Sequence, residues 1–119
     1  MREGWLRRYH NLIITGPTGV GKTYLACALG HRACLMGYRV RYHRVGRLLS
    51  ELELAKGDGS YLKVMQSLVK VEVLILDDWG LNQLSRVQAL DLLEVVEERY
   101  QRGSTVIISQ VPVEVWHQV

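Results

Sequence analysis

The sequence has no long apolar run among its 119 residues. No stretch approaches the roughly 20 apolar residues that a membrane-spanning helix needs, and residues 1–8 lack the apolar core of a signal peptide. Internal repeats and low-complexity linkers are absent as well. These absences argue against a membrane partner and predict a cytoplasmic protein with one domain and a modest core.

Cysteine is scarce too, with only Cys27 and Cys34 in the chain. Both lie on one predicted helix, where their spacing puts the Cα atoms about 10.5 Å apart, too far for a disulfide. No spacing of residues matches a metal-binding motif. We expect both cysteines to be small, reduced core residues.

Neither sign of charge dominates the composition. The chain has 15 Lys and Arg against 12 Asp and Glu, a net charge of +3. This balance permits an anionic partner without requiring one, and a bound nucleotide alone would satisfy it.

One glycine-rich motif stands out. Residues 16–23 read Gly-Pro-Thr-Gly-Val-Gly-Lys-Thr and fit the phosphate-binding P-loop, G-x-x-x-x-G-K-[ST], between an apolar run and a helix-forming stretch. The alternative is a glycine turn with a chance lysine, but the pattern should arise by chance in fewer than roughly one in 100 chains of this size. The predicted nucleotide contacts are Gly16, Pro17, Thr18, Gly19, Val20, Gly21, Lys22, Thr23 and Tyr24.

The residue types of the motif suit a nucleoside triphosphate bound together with Mg²⁺. Glycines let the backbone approach a polyphosphate, and successive N–H groups with the helix N-terminus supply partial positive charge. Lys22 would reach the β- and γ-phosphates, and the Thr23 hydroxyl would hold Mg²⁺. The predicted ligands are therefore ATP and Mg²⁺, with GTP left open because no base-reading motif is visible.

Two further strands are predicted to end in polar side chains. The apolar residues 73–76 precede Asp77 and Asp78, the pattern of a Walker B strand, in which Asp77 would hold Mg²⁺ and Asp78 would activate water. Ser109 and Gln110 end the last predicted strand and could reach a γ-phosphate or the attacking water. An ordinary strand end is the alternative for both, and the upstream P-loop favours the Walker B interpretation of the first.

Alternating strands and helices predict a three-layer α/β/α P-loop NTPase fold with a parallel sheet. Residues 11–15 are expected to form a strand buried on both faces. Ser85, with Gln88 three residues later, predicts a capping box at the start of a helix. The other predicted elements are a helix ending near residue 36, a strand at 39–43, helices at 46–55 and 61–68 around a break at 56–60, and strands at 71–78 and 104–110.

The surfaces of two predicted elements carry further expectations. In the helix after residue 85, an apolar stripe is expected to be buried and an acidic stripe to be solvated. Basic side chains on the strand at 39–43 and just beyond it could contact DNA, although a solubilising strand near a sheet edge is the more frequent explanation. The apolar stripe is Ala89, Leu93, Val96 and Tyr100; the acidic stripe is Asp91, Glu94 and Glu98; the basic group is Arg39, Arg41, His43, Arg44 and Arg47.

Taken together, the motifs resemble those of IstB-like ATP-binding proteins, the helper ATPases of insertion-sequence transposition, which are related to DnaC-like helicase loaders in the AAA+ superfamily. The resemblance covers nearly the whole chain from about residue 10. It rests on the P-loop with residues 25–31 (Leu-Ala-Cys-Ala-Leu-Gly-His), residues 74–80 (Leu-Ile-Leu-Asp-Asp-Trp-Gly), residues 109–112 (Ser-Gln-Val-Pro) and the pair Trp116-His117.

The resemblance implies roles position by position. Lys22 and Thr23 match the Walker A lysine and hydroxyl, Asp77 matches the Walker B metal ligand, and Asp78 stands where many AAA+ proteins have a catalytic glutamate. The first sensor falls on Ser109 or Gln110. Family members assemble on double-stranded DNA as ATP-dependent homo-oligomers and direct a transposase, whereas the loader relatives deliver a replicative helicase.

The resemblance also implies a truncated domain. Family members continue past the position of Val119 with a further strand, a helical lid, a second sensor arginine and an arginine finger. We therefore expect residues 1–10 to end an N-terminal helix, 11–110 to form the nucleotide-binding core, and 111–119 to begin the truncated C-terminal part. An ATP-binding module without turnover is the alternative to an ATPase. Arg99 or Arg102 could substitute for the arginine finger, but we favour the alternative that both are solvated charges near a helix C-terminus.

Overall fold

The computed structural model describes residues 11–15, 20–79 and 84–109, with the backbone alone for residue 15 and residues 20–23. Strands and helices alternate along these ranges, except where two helices follow one another. The elements are β1 (Leu12–Thr15), α1 (Val20–Leu35), β2 (Val40–Arg44), α2 (Val45–Asp58), α3 (Tyr61–Lys70), β3 (Val73–Trp79), α4 (Arg86–Arg99) and β4 (Ser104–Ser109).

The strands form one sheet in the order β1-β4-β3-β2, and all three pairings are parallel. Within the described part of the chain, β1 and β2 are therefore the edge strands. The central strands β3 and β4 are almost entirely buried, as expected of parallel strands covered on both faces.

Helices cover both faces of the sheet, which confirms the three-layer prediction. On one face Ala26 and Ala33 of α1 pack on Val73 and Ile75, together with residues of β4. Gly30 permits this close approach, because a Cβ there would lie 3.1 Å from Cδ1 of Ile75. On the other face, a larger core joins α2, α3 and α4 to the alternate residues of β3.

The charged side chain of Arg99, the last residue of α4, is buried, with 1% of its surface exposed. Its guanidinium donates only to protein oxygens, most of them main-chain carbonyls at the end of α3 and the beginnings of β3 and β4. Gly103 leaves room for it, since a Cβ there would lie 2.8 Å from Nη2. The closest acceptors are the carbonyls of Leu68 (2.9 Å), Val71 (2.6 Å) and Ser104 (2.7 Å) and the hydroxyl of Thr105 (2.9 Å).

This placement corrects the prediction for Arg99, which is neither a solvated charge nor placed to reach a neighbouring subunit. Burial lowers its pKa to about 10, still far above neutral pH, so the group stays charged. The guanidinium thus donates to main-chain carbonyls at the end of a helix, where intrahelical partners run out, and at the starts of two strands. Arg102, by contrast, is exposed.

Most predicted elements are confirmed within a few residues. The capping box of Ser85 and Gln88 is present at the start of α4. The largest error lies in the predicted break at 56–60, because α2 continues through Gly57 to Asp58 and ends at Gly59, whose φ is 85°. Residues 1–10 and 110–119 lie outside the described residues, as do 80–83.

Three burial predictions are wrong. Cys27 and Cys34 are exposed on α1 instead of lying in the core. β1 is not buried on both faces, since Leu12 and Ile13 are 37% and 53% exposed at the sheet edge. On α4 the buried residues are Leu92, Val95 and Arg99, whereas Leu93 and Tyr100 of the predicted stripe are half exposed or more.

The prediction that the acidic stripe of α4 is solvated is wrong at one position, Asp91. Asp91 is half-buried and accepts hydrogen bonds from Nζ of Lys56 (2.8 Å) and from the hydroxyl of Tyr61 (3.1 Å), so it joins α4 to both α2 and α3. Burial and the nearby Asp91 raise the pKa of Tyr61 to about 12. Glu94 and Glu98 are exposed, as predicted.

Candidate functional site

The predicted site residues converge on one edge of the sheet. Because all strands run parallel, β1, β3 and β4 end at the same edge, where α/β folds bind ligands. Thr15 ends β1, Asp77 and Asp78 lie in the last three residues of β3, and Ser109 ends β4. The sequence therefore brings its polar strand ends together at the side from which α1 begins.

The P-loop is described only in part. Gly16, Pro17, Thr18 and Gly19 lie outside the described residues. The backbone of Val20, Gly21, Lys22 and Thr23 forms the first turn of α1, which contains no acidic residue. The free N–H groups and dipole of this turn favour an anion. Tyr24 follows with 78% of its surface exposed, which is compatible with the predicted contact to a nucleotide.

Asp77 is a buried carboxylate, with 6% of its surface exposed. In β3 it continues the series Val73 and Ile75, whose side chains pack on the α1 face, so alternation places it on that face as well. Its Oδ1 accepts the backbone N–H of Asp78 at 2.7 Å, and its Oδ2 accepts the hydroxyl of Tyr42 from the neighbouring strand. Both oxygens thus have a fixed donor.

Tyr42 is half-exposed at the sheet edge, and its environment keeps its proton in place. Burial first, and then the hydrogen bond and negative charge of Asp77, raise the pKa of Tyr42 well above its usual value near 10. The phenol therefore remains a donor to Asp77 at neutral pH.

Asp78 differs from Asp77 in exposure and backbone geometry. Its side chain is 57% exposed and lies 3.6 Å from Nη2 of Arg44. Its φ is 61°, and between Leu76 and Trp79 strand β3 has one more residue than the facing segment of β4. This β-bulge interrupts the regular alternation where the strand leaves the sheet, a location in which bulges often orient functional side chains.

Of the two candidate sensors, only Ser109 is described. It is fully buried, and its hydroxyl donates to the carbonyl of Trp79 at 2.7 Å. This bond ties the end of β4 to the end of β3 beside the carboxylates. Gln110 lies outside the described residues.

The donor set suits a metal that arrives with a nucleotide. Among the described residues, no group of three or more His, Cys, Asp or Glu side chains could hold a metal ion. Mg²⁺ usually takes one or two protein ligands together with phosphate oxygens and water, so the predicted pair of Asp77 and Thr23 would be enough for it.

The predicted basic residues lie along β2 and on both sides of it, with Arg44 next to the carboxylates. Arg41, Arg44 and Arg47 are exposed, and Arg39 forms an ion pair with Glu72 at 3.0 Å just before the strand begins. His43 does not share their exposed surface, because it is half-buried. β2 is therefore the charged edge strand that the sequence predicted, with one histidine turned inward.

The contacts of β2 with the carboxylates were not predicted from the sequence. Tyr42 and Arg44 pair in register with Ile75 and Asp77 of β3. The signal was present in the alternation of residues 39–43, which separates Tyr42 from the basic face, but the strand order was needed to place β2 next to β3. A cavity of about 430 Å³ also lies between α3 and α4, among Leu62, Met65 and Glu98, away from the carboxylates.

In the described part of the chain, the helices are too short or too polar to cross a bilayer.

Comparison with known proteins identifies close relatives. An ATP-binding protein of insertion sequence IS1162 from Pseudomonas fluorescens is 56% identical over 108 residues, which cover 91% of this chain and 47% of the relative. An insertion-sequence ATP-binding protein of Sinorhizobium fredii is 52% identical and is matched over 97% of this chain and 47% of its own length. The chain thus spans about half the length of the curated relatives it matches.

Solved structures show the same fold. The DnaC helicase loader is matched over 97% of this chain and 72% of its own, with a TM-score of 0.84 at 24% identity. AMPPCP-bound DnaA from Aquifex aeolicus is matched over 92% of this chain and 36% of its own, with a TM-score of 0.82 at 21% identity. These likenesses establish the AAA+ P-loop NTPase fold.

The family model described as IstB-like ATP binding protein matches residues 3–119, nearly the whole chain. The curated relatives described above are matched over a similar share of the chain. The chain belongs to the IstB-like ATP-binding protein family.

Proposed function

We propose that this chain is the nucleotide-binding core of an ATP-dependent helper protein for DNA transposition. The observation that carries the proposal is the meeting of Asp77, Asp78 and Ser109 at the sheet edge from which the first turn of α1 begins. Family membership and the names of the relatives, which belong to insertion sequences, support the wider biological role. In this proposal residues 11–110 form the nucleotide-binding core of an AAA+ domain.

Each residue has a distinct task in the proposed site. The loop from Gly16 to Gly21 and the start of α1 bind the phosphates, and Lys22 neutralises their charge. Thr23 and Asp77 hold Mg²⁺, which when bound draws electron density from the phosphate oxygens. Asp78 accepts a proton from the attacking water, and its exposure on the bulge leaves it accessible to that water. Ser109 or Gln110 orients the γ-phosphate or the water.

Two substitutions separate binding from turnover. Lys22→Ala should abolish saturable binding of Mg²⁺·ATP, followed by tryptophan fluorescence, because the phosphate charge loses its partner. Asp78→Asn should retain binding and lose hydrolysis, measured as phosphate release. Equal rates for the wild type and Asp78→Asn would reject the water-activating role. Binding without phosphate release in the wild type would favour the second function, an ATP-binding module without turnover.

Double-stranded DNA is the proposed macromolecular ligand, through the basic residues Arg39, Arg41, Arg44 and Arg47. All four side chains are exposed on or next to the edge strand β2, where phosphates can approach. Arg44 lies beside Asp78, whereas Arg39 lies at the start of the strand beside Glu72. Arg39→Ala together with Arg41→Ala should weaken binding to a DNA duplex and flatten its salt dependence. Arg86→Ala with Arg102→Ala, away from β2, is the matched control. Unchanged affinity in the first pair would exclude this surface.

The transposase of the same element is the proposed protein partner, and ATP-dependent homo-oligomerisation the proposed assembly. Both extend to this chain from its family, so they concern the longer protein that the relatives represent. Co-purification of the transposase with the ATP-bound protein, and its loss in Lys22→Ala, would support the partnership. Capture of a replicative helicase instead would favour the loader alternative.

A further inference from the structure

The hydroxyl of Tyr42 contacts the carboxylate that is proposed to hold the metal. Tyr42 belongs to β2, and its register partner on β3 is Ile75, two positions before Asp77. Val40 and Ile75 lie on the α1 face, so alternation places Tyr42 and Asp77 on that face too. The phenol thus extends toward the carboxyl end of the sheet and donates to Oδ2 of Asp77.

The two carboxylate oxygens of Asp77 accept hydrogen bonds from residues of two different strands, β2 and β3. The backbone N–H of Asp78 binds Oδ1 at 2.7 Å, and the Tyr42 hydroxyl binds Oδ2. A carboxylate with one donor on each oxygen is restricted in rotation about its terminal bond, since rotation would break both contacts. Arg44, the other side chain that β2 directs to this site, pairs with Asp78 instead.

We propose that Tyr42 is a positioning residue, whose hydroxyl fixes the Asp77 carboxylate in the orientation that binds Mg²⁺. The proposal rests on the proposed function, because it takes Asp77 as the metal ligand. Partners that orient a metal ligand typically contribute 10- to 100-fold to metal affinity. Tyr42 is 39% exposed, so a substitution that removes only its hydroxyl should leave the packing of the strand largely unchanged.

The test compares the Mg²⁺ dependence of nucleotide binding in the 119-residue chain and its variants. A fluorescent ATP analogue is titrated first in EDTA and then over a series of MgCl₂ concentrations, which yields the Mg²⁺ concentration at half-saturation. The variant is Tyr42→Phe, which removes only the hydroxyl. Tyr38→Phe is the matched control, because Tyr38 is a half-buried tyrosine that packs on the same face before β2.

For Tyr42→Phe we expect unchanged affinity in EDTA and a half-saturating Mg²⁺ concentration about tenfold higher than in the wild type. Tyr38→Phe should match the wild type in both. A general loss of structure would lower the EDTA affinity as well, so this split distinguishes positioning from packing. Wild-type Mg²⁺ dependence in Tyr42→Phe, or an equal shift in Tyr38→Phe, overturns the inference.

Asp77→Asn separates this inference from the proposed function. If Asp77→Asn raises the Mg²⁺ requirement and Tyr42→Phe does not, Asp77 is the ligand and only the role of Tyr42 fails. If neither substitution changes the Mg²⁺ dependence, the metal-binding role of Asp77 fails and the role of Tyr42 with it. A wild-type chain that binds no nucleotide overturns both.

Discussion

At the scale of single residues, Arg99 joins three elements through its guanidinium. A buried ion pair can often be replaced by apolar side chains without loss, since both charges leave together. Arg99 differs, because its partners are mostly main-chain carbonyls that no substitution can remove. Removing the guanidinium would therefore break several buried hydrogen bonds at once.

Arg99→Met should accordingly lower the free energy of unfolding by at least about 3 kcal/mol. Arg99→Lys should recover only part of this loss, because an ammonium cannot reach acceptors spread over a fork. Urea unfolding followed by the fluorescence of the buried Trp79 measures the change. Arg102→Met, at the exposed neighbouring position, is the control and should stay within about 0.5 kcal/mol of the wild type.

His43 gives stability a dependence on pH. Burial lowers its pKa below the usual value near 6.5, against a smaller opposing effect of Glu51 and in concert with the charge of Arg41. Its buried Nε2 also has no hydrogen-bond partner among the described residues. As pH falls below about 6.5, the unfolded chain takes up a proton that the folded chain resists, so stability present above that pH is lost.

The free energy of unfolding should therefore decrease from pH 7 to pH 5, with a contribution from His43 of at most about 1.4 kcal/mol per pH unit. His43→Gln should reduce this slope, whereas His31→Gln, at an exposed position of α1, should retain it. Urea titrations at several pH values measure the slope. An unchanged slope in His43→Gln would assign the pH dependence to other groups.

At the scale of elements, α4 shows what periodicity alone could not determine. Its sequence has apolar residues on more than one side, and the stripe predicted to be buried contained Leu93 instead of Leu92. The side that is buried depends on the neighbours, since α2, α3 and the sheet together surround Leu92 and Val95. Residue spacing specifies the helix, but its rotation is set by tertiary packing.

Two adjacent leucines test this assignment. Leu92→Ala should lower the free energy of unfolding by about 2 to 5 kcal/mol, because Leu92 is fully buried and its removal leaves a cavity. Leu93→Ala, at a position that is 50% exposed, should cost less than about 1 kcal/mol. Chemical denaturation of the two variants under one condition gives the comparison. A larger loss of unfolding free energy in Leu93→Ala than in Leu92→Ala would support the apolar stripe predicted from the sequence.

At the scale of the whole molecule, the sequence predicted the architecture better than the burial. Glycine spacing, apolar runs and strand ends were sufficient for the parallel α/β fold and for placing Asp77 and Ser109 at one edge. The exposure of β1, the inward turn of His43 and the contact between Tyr42 and Asp77 were not predictable, since each depends on which strands are neighbours. Arg99 was missed because most of its acceptors are main-chain carbonyls, which leave no trace in residue types.

The left-handed backbone of Asp78 has a consequence for the balance between stability and chemistry. Asp78 and Gln101 are the described non-glycine residues with positive φ, each at 61°. A side chain in this conformation costs about 1 kcal/mol, less for aspartate than for most residues. Gln101→Gly should therefore stabilise the fold, and Asp78→Gly should be about 1 kcal/mol more stable than Asp78→Ala, as thermal unfolding would measure.

If hydrolysis is lost in Asp78→Gly while the fold gains stability, the carboxylate at this position is retained at the expense of the fold. Gln101 has no comparable role in the site, so its substitution gives the conformational effect alone. The bulge would then mark a place where the chain combines an unfavourable backbone conformation with a reactive carboxylate.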